Sequence, residues 1–147
     1  MTLKDKLMED LKASMKNKDS VRKNTITMIR AAIKQLELDQ RKELKDEEIL
    51  EIISKQLKEK RNALEDFKKA ERQDLIDLTE EEINILLEYL PKQLSDEELR
   101  QIVIKTIDEL GAKDLKDMGK IMKSIMPKIK GKADGGRVNK IVREILK

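Results

Sequence analysis

Thr79-Glu-Glu-Glu-Ile-Asn-Ile-Leu-Leu-Glu-Tyr-Leu-Pro-Lys-Gln-Leu-Ser-Asp-Glu-Glu98 carries two helix starts and a stop between them. Thr79 with Glu82, and Ser95 with Glu98, each place a hydroxyl and a carboxylate three residues apart. That spacing satisfies the unpaired N–H groups of a first helical turn. Ile83, Leu86, Leu87 and Leu90 follow the first pair at helical spacing; Leu99, Ile102, Val103, Ile107 and Leu110 follow the second. Pro91 pushes Leu90 out of the helical region. Residues 90–95 are therefore the predicted boundary between an N-terminal domain, 1–93, and a C-terminal domain, 94–147. Gly111 suits the left-handed position after the second of these helices. No segment shows the alternation of a strand, so the fold class is all-α.

Upstream, Thr2 and Asp5 form a further capping pair, and Leu3, Leu7, Leu11 and Met15 recur every four residues. Asn17-Lys18-Asp19 is the predicted turn. A second helix directs Val21, Thr25, Met28, Ile29, Ala32, Ile33 and Leu36 inward, and a break falls within 39–46. The third helix is expected from about Glu47 to Asp74, its stripe marked by Ile49, Ile53, Leu57, Leu64 and Phe67. Such helices bury their stripes against one another as a bundle.

Downstream, the pattern predicts two more helices, making a small three-helix C-terminal domain. One starts near Asp117 and buries Met118, Ile121, Met122, Ile125 and Ile129, with Pro127 kinking or shortening its end. The other is capped by Asp134 and buries Val138, Ile141, Val142 and Ile145.

Composition excludes several chemistries. The 147 residues contain no Cys and no His, so disulfides, thiolate metal sites and imidazole catalysis are absent. No apolar run approaches the ~18 residues of a membrane span, and residues 1–5 do not read as a signal peptide, which predicts a cytoplasmic protein. The serines have no base partner in the sequence, so no catalytic residue, metal or cofactor is expected. The 43% of charged residues suits salt-bridged amphipathic helices.

Charge is segregated. From Met118 to Arg143 there are eight Lys or Arg and one acid, Asp134, while the whole chain carries only +3. A basic helical module of this kind points to a polyanion, foremost a nucleic acid. The candidate cations are Lys120, Lys123, Lys128, Lys130, Lys132, Arg137, Lys140 and Arg143. Gly131, Gly135 and Gly136 would let backbone approach a phosphate, and the helix start after them favours an anion. The loop is not a nucleotide phosphate loop, because its spacing differs and no strand precedes it. The plainer alternative is a flexible loop with solvated lysines. Residues 74–98 carry nine acids and one base, Lys92. Helix-start chemistry accounts for most of them, with steering or partner docking as the alternative. Phe67 and Tyr89 cannot make a base-stacking platform, so contact is expected with phosphates and folded RNA shape.

Glu88-Tyr-Leu-Pro-Lys-Gln-Leu-Ser95, Asp117-Met-Gly-Lys-Ile-Met122 and Met126-Pro-Lys-Ile-Lys-Gly-Lys-Ala-Asp-Gly135 resemble the GatB/YqeY family, across essentially the whole chain. The resemblance implies an N-terminal helical domain and a C-terminal domain similar to the tail of the tRNA amidotransferase B subunit. It implies tRNA binding in trans, beside an amidotransferase or a glutaminyl-tRNA synthetase. It links the chain to glutamine-dependent carbon–nitrogen ligases, but the catalytic domains of that enzyme are absent here, so no catalysis by the isolated chain is expected. The competing reading is a helical protein–protein adaptor with no nucleic-acid role. A membrane-surface role lacks Trp and Phe anchors, and the helices are expected to satisfy one another in a monomer.

Overall fold

The computed structural model describes residues 1–146 and, among them, only helices, turns and loops. α1 (Leu3–Lys16), α2 (Ser20–Gln40), α3 (Asp46–Lys69) and α4 (Gln73–Leu87) form one compact unit, Met1–Leu90. α5 (Asp96–Leu110), a short 3-10 turn (Leu115–Asp117), α6 (Met118–Ile129) and α7 (Gly135–Ile145) form a second, Pro91–Lys147.

In the first unit α1 packs on α2, α3 on α4, and α2 bridges to both α3 and α4. Leu7, Ile26, Ile29, Ile49, Ile53 and Leu86 are fully buried at its centre. Each such aliphatic side chain contributes about 1.5–3 kcal/mol through removal from water. Polar ties join the helices around this core. Arg22 meets Glu88 at 2.6 Å, Lys60 meets Glu82 at 2.8 Å, and Lys4 pairs with Glu37. The Tyr89 hydroxyl donates to Asp10 at 2.5 Å; burial, and then that carboxylate, push its pKa up.

The Thr2–Asp5 box caps α1 as expected, and Asp19 caps α2 after the predicted turn. Two boundaries differ. α3 ends at Lys69, short of the expected Asp74, and α4 begins at Gln73, six residues before Thr79. Thr79 is buried in the stripe it shares with Ile83 and Leu86, so it caps nothing, and Glu80–Glu82 lie inside a helix. The α2 face is also rotated from the expected one: Ile26 is fully buried, while Met28 is 55% exposed. Leu64, Phe67, Ala32 and Leu36 are only half-buried.

In the second unit α5 packs on both α6 and α7, and α6 packs on α7. Leu99, Val103, Ile121, Ile125, Ile129 and Val138 are fully buried between them. The Ser95–Glu98 box closes on α5 from both directions, with Ser95 Oγ accepting the Glu98 N–H and Glu98 accepting the Ser95 N–H, each at 3.1 Å. Gly111 ends α5 at φ +64°. α6 continues two residues past Pro127, so the proline sits in its last turn. Leu110, expected inside, is exposed, while Thr106 and Leu146 are buried in this core.

Candidate nucleic-acid interface

The loop between α6 and α7 is built rather than loose. Gly131 takes φ +77°, a left-handed conformation that costs a residue with a Cβ about 1–2 kcal/mol. That turn lets the Lys132 and Ala133 N–H groups both donate to the Ile129 carbonyl, at 2.7 and 3.1 Å. The segment 91–95 then clasps the loop from outside. Gln93 Nε2 donates to the Gly131 carbonyl at 2.7 Å and to the Pro91 carbonyl at 3.1 Å. The Leu94 N–H donates to the Lys132 carbonyl at 2.9 Å. The Pro91 ring lies where a side chain on Gly131 would touch it, at 3.5 Å. Arg137 returns the contact: its Nη2 donates to the Leu94 carbonyl at 2.9 Å and to Asp96 at 2.7 Å. The two distinctive sequence segments, residues 91–95 and 131–137, are thus two halves of one hydrogen-bonded structure.

This geometry changes what the loop offers. Asp134 caps α7 with its own carboxylate, accepting the Arg137 N–H at 2.9 Å, so an internal anion already holds the helix start. Gly136 lies tight against the same carboxylate, a Cβ there coming within 3.0 Å of it. Gly135 gives α7 its close seat on α6, where an added Cβ would meet Met122 and Met126 at 3.5 Å. The three glycines therefore shape the loop and its packing.

The cations divide between two settings. Arg137 and Lys140 line a groove between α5 and α7 together with Asp96, Glu97 and Glu144. Arg137 is only 27% exposed at its side chain, and its ion pair with Asp96 offsets its charge. Lys120 and Lys123 stand on the face of α6 opposite Ile121 and Ile125, and Lys132 stands on the loop; all three are exposed. Among the described residues Lys120, Lys123, Lys132 and Lys140 make no ion pair within 4 Å, whereas Lys128 approaches Glu109 at 3.9 Å. Arg143 is exposed and donates from Nε to Asn139 at 2.7 Å. Lys130 is exposed beside Gly131. Charge counting identified these cations, but it passed over Gln93 and Leu94. Their signal was present in the Pro-x-Gln-Leu run, yet the Gly131 carbonyl that Gln93 bonds lies 38 residues away and no local spacing reveals it. Among the described residues no three His, Cys, Asp or Glu cluster as a metal would require, and no helix is long and apolar enough to cross a membrane.

The family described as Yqey-like protein matches residues 4–146. The chain belongs to the YqeY-like family. It is accordingly a GatB-related helical protein, and the clasp joins the segments that mark the resemblance. Relatives include "Altered inheritance of mitochondria protein 41, mitochondrial" of Pyrenophora tritici-repentis, 27% identical over 144 residues, which are 96% of this chain and 79% of that protein. The proteins of the same name in Lachancea thermotolerans and Kluyveromyces lactis are 38% identical over 85 residues and 33% identical over 108 residues. These alignments take in 57% and 71% of this chain but only 46% and 58% of those relatives, under two thirds of their length. The names correct the expectation of a cytoplasmic protein, since all three relatives are named as mitochondrial. Absent cysteine and absent apolar spans do not distinguish cytoplasm from the interior of an organelle, so composition had no power to make that assignment.

Proposed function

We propose that this YqeY-like protein is a non-catalytic tRNA-binding accessory protein that works beside a tRNA-dependent amidotransferase or a glutaminyl-tRNA synthetase. The observation that carries the reading is the state of the charges from Met118 to Arg143. Eight cations face one acid, the acid is turned onto a helix start, and Lys120, Lys123, Lys132 and Lys140 are exposed with no ion pair among the described residues. Uncompensated lysines on short, well-anchored helices suit phosphate oxygens, which a lysine meets as a point charge. Lys128, Lys130 and Arg143 are exposed on the same unit and add to its positive charge. Arg137 and the three glycines hold the loop in shape and contribute to binding through it.

The test is a tRNA titration of the wild type and of the Lys120→Ala/Lys123→Ala/Lys132→Ala/Lys140→Ala variant. With four phosphates neutralised, wild-type affinity should fall about a hundredfold between roughly 50 and 200 mM salt. The variant should bind at least about tenfold more weakly at low salt, with a shallower salt slope and unchanged helicity. Equal binding by the two proteins, or none by either, would remove the RNA reading and leave the adaptor reading in its place.

A further inference from the structure

The first unit has a surface that the tRNA reading does not use. α1 and α2 leave between them an open groove of about 690 Å³, with Leu7, Met8, Ala31 and Ile33 among its lining residues. Along α2, Thr27, Arg30 and Lys34 line the groove at intervals of three and four residues, and Lys23 precedes them in the same helical row. Along α1, Met8, Lys12 and Met15 follow the same spacing, and Met15 is half exposed.

The acids in the groove are already engaged. Glu37 pairs with Lys4 and accepts the Leu44 N–H at 2.9 Å, and Asp5 completes the cap of α1. Among the described residues Lys12, Lys23, Arg30 and Lys34 make no ion pair. Across residues 1–36 there are nine Lys or Arg and four acids. An apolar floor with an uncompensated cationic rim is complementary to one kind of surface, a helix with an apolar stripe flanked by carboxylates.

We propose that the α1–α2 groove docks an acidic amphipathic helix of a partner protein. Its apolar stripe lies on Met8 and Ala31, and its carboxylates meet Arg30 and Lys34. A nucleic acid fits the groove less well: its phosphates gain nothing from a methionine floor, and no aromatic ring lines the groove to stack a base. The proposal stands apart from the tRNA reading, because every group in it belongs to the first unit.

The test uses the full chain and a labelled model peptide of about five helical turns, with Leu at the stripe positions and Glu and Ala elsewhere. Fluorescence anisotropy should show saturable binding. Arg30→Glu/Lys34→Glu and Met8→Gln should each weaken it at least about tenfold with circular dichroism unchanged, and a scrambled peptide of the same composition should bind as weakly. Absent binding, indifference to the charge reversal, or equal binding of the scrambled peptide would overturn the proposal. So would sedimentation showing a self-association of the wild type that Arg30→Glu/Lys34→Glu abolishes, which would assign the groove to a second copy. A tRNA affinity that falls tenfold in that variant would assign it to a polyanion instead. The quadruple lysine variant of the second unit should bind the peptide normally, so the two readings fail separately.

Discussion

At the scale of single residues, the clasp around Gly131 rests on a few groups that cannot be exchanged. Gly131 sits at φ +77° with the Pro91 ring at ordinary contact distance, so space is available and the backbone conformation is what excludes a side chain. Gly131→Ala should therefore cost about 1–2 kcal/mol, all of it conformational. Arg137→Ala removes the bond to the Leu94 carbonyl and should cost a similar amount, about 1–2 kcal/mol; the pair with exposed Asp96 adds little. Urea unfolding of the two variants checks both values. A loss near zero for Arg137→Ala would mean that the guanidinium is available to a ligand after all. Arg137 was legible as a cation in the sequence but not as a tie to the main chain, because the carbonyl that holds it lies 43 residues earlier.

At the scale of elements, two segments with the same local pattern behave differently. Ser95–Glu98 caps α5, whereas Thr79–Glu82 lies within α4. The difference is packing: Thr79 faces the core of the first unit in line with Ile83 and Leu86, and that burial outweighs a local cap preference. Ser95→Ala should cost about 1 kcal/mol, while Thr79→Val should leave the start of α4 and the helix content unchanged, as chemical denaturation and circular dichroism would show. The cap also titrates. Hydrogen bonds from the Ser95 N–H, and then from its hydroxyl, hold the Glu98 carboxyl below its ordinary value of 4.5. Because the folded pKa is the lower one, its stabilisation is present above pH 4.5 and is lost as pH falls through the folded value. Glu98→Gln should flatten that part of the acid limb of the stability profile. The early end of α3 follows from the turns of the first unit. They place Lys18, Arg41 and Glu71 in the left-handed region with no glycine at any of the three, and at Glu71, unlike the other two, no turn residues marked the break. The packing of α3 on α4 offsets the strain at Glu71.

At the scale of the whole molecule, the chain holds two separate hydrophobic cores, one centred on Ile29, Ile49 and Ile53, the other on Ile121, Ile125 and Val138. Ile125→Ala should destabilise its own unit by about 2–5 kcal/mol, as expected when a buried aliphatic side chain is cut back. Amide hydrogen exchange should show lost protection in α5, α6 and α7, with protection around Ile29 and Ile53 retained. Loss in both regions would show that the cores unfold as one. The sequence by itself determined what local physics controls: all-helical structure, most helix starts, the aliphatic stripes and the segregation of positive charge. Those depend on neighbours within about one or two helical turns. The tertiary structure alone decided which cations stay uncompensated, that Thr79 is core, and that residues 91–95 clasp 131–137. Each of these depends on groups brought together across tens of residues, where sequence spacing carries no distance information.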